Sequence, residues 1–557
     1  MVNSPDIEKY LAALIEAGGK LLHLVDRDPL SPTRGCFDYH FWRSKSSGFP
    51  NARLQEAAYT LALLYRRPYP GNRWRGNPEV GELAGAALSF WSGLAHRDGS
   101  FDEWYRGEHG YAATAFSCLA AAGAFSLLRD ELGSRLGECL AQSLARGARW
   151  LARHRDLAKI NHEAVGAAAL YEISAALDAP DLTKAAADKV AEILSRQDAE
   201  GWFPELGGMD SGYCFLTLEH LARCWSFSRD PGLADALRRC LVFLADLVQP
   251  DLTTGREYNL CGNAYVSLLG AAILGEVSPL ARRIFLEGVS RPRAALEALA
   301  QDDLSACYHL YNGFLAVEAY ERTRDSYREE PPELPCRGEP FLRRYDRAGI
   351  VALRRRGYYA VSAPIVGGLV KIYADGGDLW IDRGFRVELP DSSALISWAR
   401  GGSTPVDDIE PSSSVRSVSR LRPASYYYPG RTVRFMLALV SSLPGGFLLI
   451  KRGLDFFRRR KGASLQLSTV SGADSGWVLA REASFQADRV IIRDSLEGKP
   501  ALSRFWPEQA RWRAGVRVSP PASARPGGPG PFKVETVLDV SAGQIRPDFA
   551  EARPDDG

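Results

Sequence analysis

Two stretches in the first half of the chain match each other at a constant distance of 102 residues. The stretch 98–116, DGSFDEWYRGEHGYAATAF, aligns without a gap to 200–218, EGWFPELGGMDSGYCFLTL. Each is a glycine-containing turn followed by an apolar segment with helical spacing. Such a duplication predicts a repeat protein, in which helical units bury their apolar faces against their neighbours. The matched pairs are Gly99 and Gly201, Phe101 and Phe203, Glu103 and Glu205, Gly110 and Gly212, and Tyr111 and Tyr213.

Half of this distance recurs along the first 325 residues. Candidate helix starts, spaced 46 to 55 residues apart, fall near Glu56, Tyr111, His162, Tyr213, Asn263 and His309. About 50 residues accommodate one outer and one inner helix with their connections. Up to six such hairpins would close into a ring, with the N-termini of the inner helices at one rim. Because helix N-termini carry partial positive charge, we expect this rim to favour carboxylate or sulfate groups.

The residue pattern changes after a proline-rich segment that begins REEPPELPCRGEP at position 328. Runs such as GIVALRRRGYYAVSAPI, TVRFMLALVSSLPGGFLLIKRG and DRVIIRDSLEG are β-branched, aromatic and separated by glycine-containing turns, as is typical of antiparallel strands. The sequence therefore predicts a multidomain α + β protein. An α/α toroid of helical hairpins occupies residues 1–327, a Pro-rich linker 328–345, an antiparallel β-sandwich 346–545 and a flexible tail 546–557.

Composition excludes several classes of protein. The net charge of +2 gives no indication of nucleic-acid or membrane binding. The nine cysteines form no CxxC pair, which favours reduced core thiols over a disulfide framework or zinc site. The N-terminus lacks the pattern of a signal peptide, and no apolar stretch is expected to span a bilayer. We therefore expect a cytoplasmic protein with no cofactor and no catalytic metal. A homodimer and a structural divalent metal both stay open.

Three polar residues, Asn161, His162 and Glu163, open one of the predicted inner helices. The small residues of 166–169 follow directly. On a helix His162, Gly166 and Ala169 share one face, so the histidine and the small residues point the same way. This pattern places His162 at the rim of the ring, where small residues allow neighbouring inner helices to approach closely.

A predicted toroid followed by a sandwich, with NHE opening one inner helix and GY opening the next, resembles the heparinase II/III-like polysaccharide lyases, which include alginate and oligoalginate lyases. The stretches GCFDYHFWRSKSSGFPNARLQEAAYTLALLY and GREYNLCGNAYVSLLG are also similar to members of this group. The resemblance implies β-elimination within an anionic oligo- or polysaccharide. A base removes the C5 proton of a uronic acid, its carboxylate is neutralised, and an acid protonates the departing O4.

The resemblance also implies which residues carry this reaction. Asn161 would donate to the carboxylate, His162 would neutralise it or act as base, and Tyr213 would be base, acid or both. A tyrosine has an unperturbed pKa of about 10, so it needs nearby positive charge to act as base. Further residues proposed for the rim and for substrate binding are His40, Glu205, Glu257, Tyr258, Asn263 and His309.

Other interpretations of the same residues stay open. His162 could be a buried histidine that caps a helix, and Tyr213 could pack as Tyr111 does in the matching repeat. Glu103 and Glu205 could brace their loops. Carboxylates near the rim, such as Glu163, would serve a glycoside hydrolase on the same toroid. A uronosyl C5-epimerase or a non-catalytic carbohydrate-binding factor would also suit this architecture.

Overall fold

The computed structural model describes residues 4–291, 302–324, 330–391, 393–398, 403–405, 414–423, 430–441, 443, 446, 449–450, 476–498, 504–513, 516–518, 532–540, 543–549 and 553–554. The chain divides into two compact units. The first comprises Met1–Ala245, Asp251–Pro332 and Gly430–Gly462, and the second comprises Asp246–Pro250, Glu333–Pro429 and Ala463–Gly557.

Within the described residues, six inner helices alternate along the chain with six outer helices. The inner helices are α3 (Ala57–Arg66), α5 (Tyr111–Leu128), α7 (Ile160–Leu177), α9 (Ser211–Ser228), α11 (Leu268–Leu274) and α13 (Asp303–Thr323). Those between them are α1 (Ser4–Lys20), α4 (Pro78–Leu94), α6 (Ser134–Arg153), α8 (Asp181–Leu194), α10 (Pro231–Leu247) and α12 (Pro279–Val289). A short α2 (Tyr39–Trp42) and a 3₁₀ turn (Ala52–Glu56) precede α3.

The inner helices close into a ring. Each packs against the next in the order α3, α5, α7, α9, α11 and α13, and α13 packs back on α3. An inner helix has neighbours on both sides as well as an outer partner, so its whole circumference must be apolar or small. In α5 and α7, nearly every residue is accordingly buried. The predicted fold class, a helical toroid combined with antiparallel sheets, is confirmed.

The predicted helix starts agree with the structure for the first four units and differ for the last two. Helices α3, α5, α7 and α9 begin within two residues of the predicted positions. Helix α11 begins at Leu268, because Asn263 lies in a turn where its side chain accepts from the backbone N–H of Tyr265 (3.0 Å). Helix α13 begins at Asp303, capped by Asp302, so His309 lies inside the helix.

Small residues of α7 allow the close approach that the sequence predicted. A Cβ atom at Gly166 would overlap the Tyr111 hydroxyl of α5. That hydroxyl donates to Glu163 (3.0 Å) and accepts from the ammonium of Lys189 (2.9 Å), which also pairs with Glu163 at 2.8 Å. The Lys189–Glu163 ion pair and the contact of Gly166 with Tyr111 therefore hold α5, α7 and α8 together.

Helix α5 corrects one sequence expectation. Its 18 residues are apolar enough to cross a membrane by length and composition, whereas no such stretch was expected. The helix is 78% buried within the protein. An inner helix of a ring must be apolar all round, so the same composition follows from its position in the toroid.

The second unit contains two antiparallel sheets. The first has the order β1-β2-β3-β4-β5-β12-β13, with β6 on β5 and β9 on β6; the second has the order β15-β14-β11-β10-β8-β7, with β16 on β14. The strands are β1 (Phe341–Tyr345), β2 (Ile350–Arg355), β3 (Tyr358–Ala363), β4 (Leu369–Ala374), β5 (Leu379–Glu388), β6 (Ala394–Ile396), β7 (Ser403–Pro405), β8 (Ser414–Arg420), β9 (Arg422–Pro423), β10 (Trp477–Phe485), β11 (Arg489–Gly498), β12 (Arg504–Arg513), β13 (Val516–Val518), β14 (Phe532–Asp539), β15 (Arg546–Phe549) and β16 (Arg553–Pro554).

Apolar residues from both sheets pack together in two core clusters. Leu353, Ile372 and Trp380 of the first sheet pack with Phe485 and Ile492 of the second. Strand β1 lies within the segment predicted as linker, and β15 and β16 lie within the predicted tail, because each pairs with a longer neighbour. Two sheets that share an apolar layer form the expected sandwich.

The segment 432–453 was predicted as strand, and its first part is instead a helix, α14 (Arg431–Ser441). Its β-branched and aromatic residues suggested strand, but its apolar positions also recur at helical spacing, as in Val433, Met436 and Val440. Short apolar runs are ambiguous between helix and strand for this reason. Most of the predicted strand that follows, 442–452, lies outside the described residues.

Candidate functional site

The rim of the toroid is built where the loop before α9 meets the start of α7. Glu205 forms an isolated antiparallel bridge with Lys159, the residue that precedes α7, and the Leu206 N–H donates to the Ala158 carbonyl (2.8 Å). Asp210 then caps α9 by accepting from the Tyr213 N–H (3.0 Å). These backbone contacts bring the starts of α7 and α9 together, with Asn161, His162, Glu205 and Tyr213 at one end of the ring.

His162 is oriented by an aspartate that sequence reasoning did not identify. Its Nδ1 lies 2.8 Å from Asp156 Oδ2. A carboxylate only accepts hydrogen bonds, so Nδ1 carries the proton and Nε2 is left as a basic nitrogen. Burial lowers the pKa of His162, and the cations Lys159 and Arg53 lower it further, although Asp156 opposes them. The imidazole is therefore held neutral and in one tautomer, and its side chain keeps 15% exposure.

Asn161 and Glu205 present polar atoms that lack partners. Asn161 is 1% exposed, and neither its oxygen nor its nitrogen has a hydrogen bond among the described residues. Glu205 is 3% exposed, and its Oε2 is likewise unpaired. The amide and the backbone N–H of Asn161 are near enough to Glu205 to favour its ionised form, although the Asn161 side-chain atoms and Glu205 Oε2 reach no partner with good hydrogen-bond geometry among the described residues. Buried polar groups normally find partners, so these atoms mark a position for a polar ligand or water.

Glu205 holds its proton at neutral pH. Burial raises its pKa to about 8, and the nearby Asp210 adds to this shift, while Asn161 and Lys159 oppose it. A protonated carboxylic acid can donate one hydrogen bond, which an ionised one cannot. The side chain can therefore offer an O–H to an acceptor that enters the pocket.

Tyr213 is half-buried in the first turn of α9. Burial raises the pKa of its phenol, as do Cys261, Asp210 and Glu205, while Arg53 alone among the named groups opposes them. The phenol therefore keeps its proton, which suits a proton donor. Its repeat equivalent, Tyr111, is also half-buried, but its hydroxyl donates to Glu163 (3.0 Å), so the two matching tyrosines have different partners.

Arg53 lies at the centre of the rim and was missed by sequence reasoning. Its Nε bonds Glu56 (2.8 Å), another guanidinium nitrogen is 3.6 Å from Glu103, and the group stacks 3.8 Å from the Phe116 ring centre. Burial opposes its charge, but Glu56 and Glu103 raise the pKa of Arg53 above its usual value. Its position in the repeat could have indicated it. Arg53 lies three residues before the predicted helix start at Glu56, as Lys159 lies three residues before the predicted start at His162.

Glu56 is a second buried acid at this end of the ring. Burial raises its pKa to about 7 despite the contact with Arg53, and its Oε2 has no partner among the described residues. Glu56 and Glu205 are thus two carboxyl groups that titrate near neutrality within one region. Shifts of this kind are common where residues act as acids or bases.

A closed hydrogen-bond network lies beneath the rim. The Glu219 carboxylate accepts from the hydroxyls of Tyr265 (2.6 Å), Ser267 (2.5 Å) and Tyr308 (2.6 Å), and the Tyr308 hydroxyl lies 2.9 Å from His220 Nε2. All these groups are buried or nearly so. The network fixes α9, the loop before α11 and α13 relative to one another.

His309, a predicted substrate residue, packs beside two tyrosines of this network. Its ring lies 4.6 Å from that of Tyr265 and 4.7 Å from that of Tyr308. Burial lowers its pKa to about 3, and Arg53 contributes to this shift. His309 is consequently neutral at physiological pH and cannot neutralise a carboxylate by charge, although it can exchange a hydrogen bond.

The remaining predicted residues have other surroundings. Tyr258 is fully buried and has no surface for a ligand. Asn263 shapes a turn in which its carbonyl accepts from Asn259, and Glu257 is half-buried in the same loop. His40 is exposed on α2 and its Nδ1 lies 3.1 Å from the Ser46 hydroxyl.

Metal ligands do not cluster at this site in the part of the chain that the structure describes. No group of three His, Cys, Asp or Glu side chains has a metal-binding arrangement among the described residues. All nine cysteines are free thiols.

Comparison with solved structures places this fold among known toroids. The chain is similar to the chondroitin AC lyase of Streptomyces coelicolor A3 in complex with chondroitin sulphate, with a TM-score of 0.52, 11% identity, and coverage of 89% of this chain and 67% of that one. A point mutant of the same enzyme matches with a TM-score of 0.51 and 11% identity, over 97% of this chain and 76% of that one. An oligosaccharide complex of a chondroitinase AC lyase matches with a TM-score of 0.47 and 10% identity, over 96% of this chain and 73% of that one. No protein-family model and no curated sequence matches the chain. At such identities the likeness shows the fold alone.

Proposed function

We propose that this protein is an enzyme that cleaves uronic-acid-containing glycans by β-elimination. The observation that carries the proposal is the arrangement at the start of α7: a neutral His162, oriented by Asp156, adjoins an unpaired Asn161 amide and faces the end of the ring that holds the Tyr213 phenol. This set provides a base, a carboxylate-binding group and an acid, which are the three elements of the reaction.

His162 acts as the base. Its Nε2 is unprotonated at neutral pH because burial lowers the pKa, and its Nδ1–H is held by Asp156. When Nε2 takes the C5 proton, the Asp156 carboxylate stabilises the imidazolium that forms. A positioned base contributes about 10²- to 10⁴-fold to such a step.

Tyr213 acts as the acid. Its raised pKa keeps the phenol protonated, so it can protonate O4 as the glycosidic bond breaks. The electron pair of the C5–H bond forms the C4–C5 double bond, and the C4–O4 bond breaks with its electrons going to O4. The positive field of Arg53 moderates the negative charge that develops on the phenol oxygen.

Asn161 and Glu205 bind the uronate carboxylate. Negative charge develops on this group as C5 loses its proton, and donors already in place stabilise it without reorganisation. The unpaired Asn161 amide offers N–H groups, and the protonated Glu205 offers an O–H. The shared toroid-and-sandwich fold of the chondroitin AC lyases supports a glycan as the substrate class.

The test is the appearance of the unsaturated product. The protein is incubated with alginate, hyaluronan, chondroitin, heparan sulfate and glucuronan, and absorbance is followed in the ultraviolet region where conjugated uronates absorb. A signal that His162→Ala and Tyr213→Phe each reduce at least about 100-fold supports the proposal. His154→Ala and Tyr171→Phe are matched controls, since His154 stacks on Trp150 and Tyr171 stacks on Phe227, away from the rim.

A glycoside hydrolase is the second candidate, because Glu56 and Glu205 both have pKa values near neutrality that suit a general acid. Glu163 does not fit that role, since it is enclosed in an ion pair with Lys189. A hydrolase would release reducing ends without ultraviolet absorbance and would lose activity in Glu205→Gln while retaining it in His162→Ala. Solvent deuterium at C5 without cleavage would instead indicate an epimerase.

A further inference from the structure

Exposed apolar side chains concentrate in one segment of the chain. Twelve large apolar residues are exposed among the residues that the structure describes, and six of them lie between positions 433 and 449. Their exposed fractions range from 45% to 66%, in Val433, Phe435, Met436, Leu439, Leu443 and Leu449. The other six are spread over positions 30 to 342. A single exposed apolar residue is ordinary, whereas a cluster of them marks an interaction surface.

Helix α14 contains four of these six residues and is amphipathic. Successive residues of an α-helix are about 100° apart, so the large apolar residues of α14 share a face that covers more than half of its circumference. Arg431 and Arg434 lie on the remaining side, with Ala438 between them. So broad an apolar face is typical of a helix that packs on a core, yet every described side chain of α14 is exposed or half-buried. The apolar face of α14 therefore lacks the cover that its pattern calls for.

The sequence around this helix is strongly basic. Helix α14 contains two arginines and no acidic residue, and from position 411 to 454 the chain has seven Lys or Arg residues and no Asp or Glu. A further basic cluster, RRRK at 458–461, follows in the sequence and lies outside the described residues. Acidic residues elsewhere balance these cations, since the whole chain has 69 basic and 67 acidic residues. The net charge of +2 therefore conceals a local positive charge that complements an anionic surface.

A second copy of the chain is a poor partner for this face. A two-fold symmetric contact places the same patch of both copies together. The arginines of α14 would then approach those of the other copy, and the surrounding sequence has no acidic residue to separate them. Like charges opposed in this way disfavour association. An anionic polysaccharide would attract the arginines but would leave the apolar face in water.

An anionic lipid surface satisfies both sides of the helix. Helices that lie in a membrane interface have residues such as Phe and Leu on one face and Lys or Arg on the other, and they insert the apolar face just below the lipid headgroups. Arginine side chains reach the lipid phosphates from the opposite side. We propose that α14 is a membrane-binding helix that docks the protein on a bilayer containing anionic lipids. The inference does not depend on the proposed glycan cleavage.

Binding of the whole 557-residue chain to lipid vesicles tests the proposal. A flotation assay at about 0.1 M salt compares vesicles of phosphatidylcholine containing about 30% phosphatidylglycerol with vesicles of phosphatidylcholine alone. We expect the partition coefficient to be at least about tenfold higher for the anionic vesicles. Raising the salt to about 0.5 M should lower this ratio, because salt screens the attraction to the headgroups. Equal binding to both kinds of vesicle, or binding to neither, would overturn the proposal.

Substitution of the apolar face tests whether it inserts. The double variant Phe435→Gln, Met436→Gln should lower the partition coefficient on the anionic vesicles at least about tenfold, because two apolar side chains no longer enter the bilayer. The control is Leu30→Gln, Val242→Gln, which changes two exposed residues outside α14 and should bind as the wild type does. Both variants should keep the wild-type melting temperature. Undiminished binding by the α14 variant, or a lower melting temperature in that variant alone, would refute the proposal, since the face would then be uninserted or packed within the protein.

Charge substitutions and the oligomeric state distinguish a membrane from other partners. Arg431→Gln, Arg434→Gln should reduce binding to the anionic vesicles at least about threefold and leave binding to phosphatidylcholine unchanged. An equal reduction on both kinds of vesicle would contradict recognition of anionic lipid by these arginines. Sedimentation velocity without lipid should give the same oligomeric state for the wild type and for Phe435→Gln, Met436→Gln. A wild-type dimer that these substitutions dissociate would assign the face to a second copy of the chain and overturn the proposal.

Discussion

Replacing Glu205 by glutamine should stabilise the protein even though it removes a carboxyl group from the candidate site. Burial raises the pKa of Glu205 from the ordinary 4.5 to about 8, and the nearby Asp210 adds to this effect. The folded protein must therefore keep a proton on this side chain at pH 7, whereas the unfolded chain releases it. Glutamine has nearly the same shape and needs no proton.

The size of the effect follows from the two pKa values. A group whose pKa is raised on folding binds more protons in the folded state, so its contribution to stability falls as pH rises from about 4.5 to about 8. Each pH unit in this window is worth about 1.4 kcal/mol. The advantage of Glu205→Gln in free energy of unfolding should therefore grow from about 1 kcal/mol at pH 5 to about 3 kcal/mol at pH 7.

Thermal denaturation of the wild type and the variant at pH 5, 6, 7 and 8 measures this trend. Glu163→Gln is the control, because it is the same substitution at another buried glutamate of the toroid. Glu163 pairs with Lys189 at 2.8 Å, so removing its charge leaves a buried ammonium unpaired and should cost about 3–5 kcal/mol. If Glu205→Gln destabilises the protein, or if its effect does not change with pH, Glu205 is ionised and paired in the folded state, and the argument is refuted.

Three further outcomes are expected. Asp156→Asn should lower kcat about 100-fold, because Asp156 fixes the tautomer of His162. It should also move the acidic limb of the pH profile to lower pH, because Asp156 raises the pKa of His162. Kinetics from pH 4 to 8 would show both effects. Asp494→Asn should cost about 3–5 kcal/mol in the sandwich, where Asp494 forms two hydrogen bonds to the buried Arg481, and denaturation monitored by tryptophan fluorescence would detect it. Gly166→Ala should cost about 1–3 kcal/mol through overlap with a tyrosine hydroxyl of α5, and an unchanged melting temperature would refute that contact.

The toroid could be predicted because its physics is periodic. An inner helix must be small or apolar on every side, and each repeat needs a turn and a second helix to cover it, so the sequence shows a period near 50 residues. The period fails to locate α11 and α13, whose starts depend on local capping by Ser267 and Asp302. Capping residues shift a boundary without changing the apolar pattern on which the period depends.

The candidate site could be predicted only in part. Asn161, His162 and Tyr213 were accessible because they stand at helix starts and match a motif. Arg53 and Asp156 were not, since their importance arises from contacts across the ring and across a turn. No local pattern distinguishes an arginine that meets two buried glutamates from one exposed to solvent.

The repeat places one acidic residue in each of two equivalent loops near the rim. Glu103 and Glu205 occupy equivalent positions in the loops that precede α5 and α9. In one repeat the acid pairs with Arg53, and in the other it is unpaired and protonated. A substrate carboxylate can share the proton of neutral Glu205, whereas ionised Glu205 repels it. Substrate affinity should therefore weaken as pH rises through about 8. A KM that stays constant from pH 6 to 9 would show that this proton plays no part in binding.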